Sequence, residues 1–203
     1  MLLGCGPVTR SSTWGAEPES SHEARADVEW RSGVAEQLPV PSTFVDRTIS
    51  QFAAMFFVDR SRAVDEMVRV TRPGGRVALT TWASVDRSPG YAGLVELLDE
   101  HVGGWAVEAP MAPFSLGTEE RVRTAFGSGH PFTTITTEPG TARFGSIDEW
   151  LHTDIRGWTL ADGVDEETDQ ELLRAARVRL AKFAADDGTV AFDAPAIIGV
   201  IEV

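Results

Sequence analysis

The stretch Asp59–Trp82, DRSRAVDEMVRVTRPGGRVALTTW, decides the fold. Asp59 or Ser61 can cap a helix whose Ala63, Val64, Met67 and Val68 recur at i, i+1, i+4 and i+5 and so line one face. Pro73-Gly74-Gly75 stops that helix, because proline cannot continue the hydrogen-bond ladder and glycine accepts the positive φ that reverses the chain. Arg76–Trp82, rich in apolar and β-branched residues, is then a β-strand.

On the N-terminal side, Thr48–Phe52 is the strand expected to precede this helix. Before it, Val28-Glu29-Trp30-Arg31 alternates like a short strand, followed by a turn at Ser32-Gly33 and a loop closed by Pro39 and Pro41. Residues 7–27 are rich in Ser, Thr, Glu, Pro and Ala and carry neither period, so residues 1–27 are expected to form a poorly ordered segment and 28–203 the domain.

On the C-terminal side the spacing predicts a helix from Gly90 to Val102, another opening at Thr118-Glu119-Glu120, and a strand over Phe132–Thr137. Ser146 with Glu149 is a capping box that starts a helix through Trp150 and Ile155. A helix over 166–184 and strands over 189–192 and 197–203 complete the chain. Alternating helix and strand patterns predict an α/β fold with a mostly parallel sheet, and the stretches 88–125 and 146–185 are read as a small helical cap.

Composition narrows the function classes. Acidic residues outnumber basic ones, 31 to 18, for a formal charge of -13 with no basic cluster, which disfavours nucleic acid as a partner. No apolar run reaches the ~20 residues of a membrane-spanning helix, and no secretory signal is recognised. The single cysteine, Cys5, cannot form an internal disulfide, so a cytoplasmic location is expected; the four histidines lie too far apart for a local metal motif, so no metal site is expected.

The segments Glu29–Pro39, Ser50–Phe57 and Arg72–Arg76, in this order and spacing and continuing through Trp82 and Ser88-Pro89-Gly90-Tyr91, resemble class I S-adenosylmethionine (SAM)-dependent methyltransferases, specifically the ubiquinone-biosynthesis-like, methyltransferase type 11 group. The resemblance implies a Rossmann-like fold, SAM as cofactor and a small-molecule methyl acceptor. In that family a strand ending in an acidic residue leads into Gly-x-Gly-x-Gly. Leu3-Gly4-Cys5-Gly6-Pro7-Val8 retains two of those glycines, with Leu2 at the acid's place and Val8 at the third glycine.

The resemblance also sets Gly33-Val34-Ala35 where the family carries Gly-Asp-Ala beside the adenine, so Val34 lacks the carboxylate that would accept from the adenine amine. The residues carried over as cofactor-lining are Gly4, Gly6, Gly33, Val34, Ala35, Gln51 and Phe52, and no catalytic base is assigned. Gly33 can equally make a plain turn, and two or more of Phe52, Met55, Phe56 and Phe57 are expected in the core. His152 and Asp154, on the helix after Trp150, are read first as a solvated face and second as general-base candidates.

The short N-terminus leaves the central strand implied by the resemblance incomplete. A homodimer that completes the sheet and a start placed too late both remain open. So do two functions: methyl transfer, or a catalytically inactive remnant that serves as a binding or dimerisation module.

Overall fold

Hydrogen-bonding and packing partners, rather than local pattern, set the element bounds in the computed structural model, which describes residues 29–127, 129–156 and 164–203. The reading of residues 1–27, including the glycine-rich remnant, falls outside these. The elements are β1 (Val45–Gln51), α1 (Arg60–Val70), β2 (Thr71–Trp82), α2 (Pro89–His101), α3 (Glu108–Met111), α4 (Glu119–Phe126), β3 (Thr134–Glu138), β4 (Thr141–Phe144), α5 (Ile147–Leu151), α6 (Glu166–Arg179), β5 (Val190–Asp193) and β6 (Ala196–Glu202).

Four strands form one sheet in the order β1-β2-β6-β3. β1 and β2 are parallel, while β6 runs antiparallel to both β2 and β3, so three of the four strands point the same way. This is the Rossmann-like α/β architecture expected, with β6 as an antiparallel member that the sequence did not announce. Among the described residues β1 and β3 are the two edge strands of this sheet.

Two sequence expectations need correction. No strand covers residues 29–31: a strand needs a neighbour to pair with, and here Arg31 instead bonds Glu29 and the Pro39 carbonyl. Pro73-Gly74-Gly75 is not the link between helix and strand either. α1 ends at Val70, and the Pro-Gly-Gly triplet lies inside β2 as a bulge, across which the pairing steps from Val45↔Thr71 to Arg47↔Arg76.

The bulge accounts for the residue types. Proline has no N–H to leave unpaired there, and Gly74 takes φ +82° while its N–H donates to the Val203 carbonyl at 2.6 Å. A Cβ on Gly75 would lie 2.6 Å from the Asp46 carbonyl oxygen, so only glycine fits. The Thr71 hydroxyl donates to the Met67 carbonyl at 2.7 Å and lies 2.7 Å from the Thr48 hydroxyl, tying the end of α1 to both strands.

One face of the sheet buries Val77, Leu79, Ile197 and Ile201 against Val64 and Met67 of α1 and Val122 and Phe126 of α4. Helix capping follows the sequence signals: the side chains of Asp59, Thr118, Ser146 and Asp165 accept from the N–H three residues on. α4, read as a cap element, belongs to this sheet layer.

A second apolar cluster gathers Leu94, Leu97 and Leu98 of α2, Trp150, Leu151 and Ile155 around α5, Leu172 and Ala176 of α6, and Phe192 of β5. β4 and β5, far apart in sequence, form a two-stranded antiparallel sheet within it, a pairing absent from the sequence reading. Gly90 lies so close to the Phe192 ring that a Cβ would collide with it, which lets α2 settle on β5.

Candidate functional site

At the C-terminal ends of the parallel pair, the chain breaks its own conformational preference. Phe52, directly after β1, takes φ +51°, a region that costs a bulky residue strain, while its N–H donates to the Thr80 carbonyl at 3.0 Å. The turn lays its ring on Trp82, the last residue of β2, with centroids 4.0 Å apart and planes 13° from parallel. Two half-buried aromatic faces therefore sit side by side at the strand ends, where ligands bind in open α/β sheets.

Beside them Ser50 is buried, and its hydroxyl has no hydrogen-bond partner among the described residues. It lines a small, shallow cleft, open to solvent, together with Ala35, Ile49, Ala53 and Phe57. A buried hydroxyl without a partner costs roughly 1–3 kcal/mol, which makes it a ready anchor for a polar ligand atom.

The loop that brings Ala35 there is pinned to α1. Val34 and Gln37 bridge across a tight turn, and the Glu36 carboxylate accepts from the N–H groups of Val58 and Asp59 at 3.0 and 3.1 Å. Arg69 donates to the carbonyls of Leu38 and Val40 and to Glu66, whose other contact is the Leu38 N–H at 2.8 Å. The Arg69 guanidinium holds the Glu66 carboxyl below the usual carboxylate range. Strand ends and loop are thus positioned by the helix between them.

Of the residues carried over as cofactor-lining, the fold brings Ala35 into one cleft with Ser50, while Gln51, exposed, and Phe52, half-buried, follow Ser50 in the chain without lining that cleft. Gly33 and Val34 precede Ala35 in the same loop, and Val34 is 42% exposed. Gly4 and Gly6 lie outside the described residues. Among the four aromatic-segment candidates, Met55 is buried and Phe57 packs against the core, while Phe56 is largely exposed. Trp82 was not singled out by sequence, although the register that pairs Gln51 with Thr80 carries it to the level of the β1 exit.

A second set of groups lies in the cap. Tyr91 of α2 meets Phe114 at 5.5 Å, Phe192 at 5.0 Å and Trp150 at 6.1 Å between ring centroids. Trp150, fully buried, donates its indole N–H to the Asp154 carboxylate at 2.6 Å. Asp154 sits in a π-helical turn, His152–Arg156, that continues α5. Burial pushes its carboxyl up to about 6, against the opposing pull of the Trp150 hydrogen bond. The Tyr91 hydroxyl is pushed up as well, by burial first and by the Asp154 charge second.

The solvated-face reading therefore holds for His152, which is exposed, and fails for Asp154. Spacing put Asp154 on the Trp150 face but gave no sign that α2 would cover it.

The chain is similar to known proteins in both sequence and fold. Residues 9–79 match the family described as Methyltransferase domain. Uncharacterised proteins of Mycobacterium tuberculosis and Mycobacterium bovis are 36% identical over 55 residues, which is 27% of this chain and 20% of theirs. The chain thus spans about a fifth of the length of the curated relatives it matches.

Among solved structures, a candidate methyltransferase from an antibiotic biosynthesis pathway of Anabaena variabilis aligns with TM-score 0.54 at 18% identity, covering 87% of this chain and 75% of its own. The YcgJ protein of Bacillus subtilis aligns with TM-score 0.50 at 18% identity, covering 87% and 72%. A candidate type II methyltransferase from Anaeromyxobacter dehalogenans aligns with TM-score 0.50 at 21% identity, covering 88% and 73%. At these identities the likeness is one of fold.

Proposed function

We propose that this chain is a class I SAM-dependent methyltransferase acting on a small-molecule acceptor. The observation that carries the reading is the strained Phe52 stacked on Trp82 at the C-terminal ends of adjacent parallel strands, beside the unpartnered Ser50 hydroxyl. The match of residues 9–79 to the methyltransferase domain family supports it.

These residues suit the cofactor on chemical grounds. Ring faces attract a sulfonium as they attract an ammonium, Ser50 offers a hydroxyl without a partner, and Ala35 closes one side of the cleft without bulk. When bound, the cofactor supplies an electrophilic methyl group on a positively charged sulfur.

The chain's own part is positional. Phe52 and Trp82 form an apolar wall that excludes water, and the pinned loop 34–40 holds the opposite side still, so that an acceptor can be held in line with the methyl carbon. Val34 cannot accept from an exocyclic amine, and on this reading that amine is left to water, at a cost of about 1–3 kcal/mol.

Calorimetry with SAM and S-adenosylhomocysteine tests the proposal. Binding tighter than about 100 μM, near -5.5 kcal/mol, is expected, with a loss on Phe52→Ala. Absence of heat would instead favour the remnant reading, and binding that appears only in Val34→Asp would attribute the inactivity to the missing carboxylate.

A further inference from the structure

The two edges of the four-stranded sheet are built differently. β3 is five residues long, lies between Pro131 and Pro139, and sets Thr134, Thr136 and Glu138 in solvent, features that keep an edge strand from pairing. β1 has seven residues with neither proline nor lysine, and its Ile49 is 53% exposed. Exposed apolar side chains border the cleft beside it: Val34, next to Ala35, and Phe56 and Val58, on either side of Phe57.

The backbone geometry fixes which groups the β1 edge offers. The Phe52 N–H donates to the Thr80 carbonyl, so by alternation Ser50 and Thr48 also turn toward β2, while Arg47, Ile49 and Gln51 turn their N–H and C=O groups outward. Among the described residues β1 has no neighbouring strand but β2, so these outward groups have no strand to pair with.

Charge decides what can approach. Residues 29–82, which build β1, α1 and β2, hold seven basic and six acidic residues, whereas the whole chain holds 18 and 31. The acidic excess therefore lies outside the part that carries this edge. A second copy is repelled by the rest of the surface and not here.

We propose that β1 pairs with β1 of a second copy, antiparallel about a two-fold axis at Ile49, so that two four-stranded sheets become one continuous sheet. The strand is self-complementary in this register. Ile49 lies opposite Ile49 of the second copy and Arg47 opposite its Gln51, so no like charges face each other. These are the residues whose N–H and C=O groups point outward, so each copy satisfies the open groups of the other. Thr48 falls opposite Ser50, the buried hydroxyl without a partner among the described residues. Ser50 keeps capacity for a ligand atom as well, since a hydroxyl donates once and accepts twice. The inference does not depend on the methyltransferase reading, and its test uses no cofactor.

Sedimentation of the full chain provides that test. We expect a particle of twice the 22.0 kDa of one chain, dissociating on dilution. Ile49→Lys sets two like charges opposite each other and should weaken association at least about tenfold. Val178→Lys, at an 80% exposed apolar position on α6, should leave it unchanged. In a Cys5→Ser background, Ile49→Cys brings two thiols together at the axis and should cross-link the copies under oxidation, because Cα atoms of such a pair lie about 5.5 Å apart. Val178→Cys should not cross-link.

A chain that sediments as a monomer at every concentration overturns the inference. So does a dimer that ignores Ile49→Lys and does not cross-link through Ile49→Cys, because its contact then lies elsewhere. Should Ile49→Lys not fold, hydrogen exchange of the wild type decides: the outward Ile49 amide should be protected when concentrated and exchange freely on dilution. Protection of that amide in a monomer would mean that another segment of this chain covers the edge, and it overturns the inference equally.

Discussion

At the scale of single residues, Asp154 carries a cost that pH should expose. Its folded-state carboxyl is raised to about 6, so the native protein binds that proton more tightly than the unfolded chain does. Stability from this group is present at low pH and lost as pH rises from about 4 to about 6, by up to about 3 kcal/mol. Urea unfolding at pH 4.5, 5.5 and 6.5 should show Asp154→Asn gaining on the wild type across this interval; a constant difference would mean that the carboxylate is solvated after all. Sequence spacing placed Trp150 and Asp154 on one helix face but was silent on burial, which comes from Tyr91 and the rings packed around it. Ser50, at the end of the expected strand, likewise gave no sign in sequence of a buried hydroxyl without a partner among the described residues, which packing alone produced.

At the scale of elements, β2 shows how far a local signal reaches. Pro73-Gly74-Gly75 announces a break in regular backbone, and the sequence reading made it a helix stop. Sheet pairing turned it into a bulge, because the N–H of Gly74 and the carbonyl of Gly75 find Val203 at the far end of the chain. Gly75→Ala should cost about 1–3 kcal/mol in chemical denaturation, since its Cβ would meet the Asp46 carbonyl and the Thr71 methyl at 2.6 Å and both must give way. A neutral result would show that the bulge can shift. Helix signals fared better than strand signals: α1, α2, α4 and α6 start within a residue or so of their expected positions, because side-chain capping in α1, α4 and α6 and the first-turn proline in α2 act between neighbours in sequence. β4 went unseen because its partner β5 lies beyond two helices, and a four-residue strand has no period long enough to announce itself.

At the scale of the whole molecule, the described chain has two apolar clusters, one between the sheet and α1 and α4, the other inside the cap. Each should respond to its own mutations. Trp150→Ala, which empties the centre of the cap, should cost roughly 3–5 kcal/mol there. Hydrogen exchange should then show amides of α5 and α6 opening while those of β2 and β6 keep their protection. Uniform loss of protection would mean that the two layers unfold as one. The α/β class, the helix starts, the strand of Arg76 to Trp82 and the position of Gln51 and Phe52 at a strand end were all legible in the sequence, because each rests on residue type and on spacing within one or two turns of chain. The antiparallel reversal at β6, the Phe52–Trp82 stack and the partial burial of Asp154 were decided by tertiary structure alone, because each requires surfaces distant in sequence to meet, and spacing along a chain does not encode what will lie across from it.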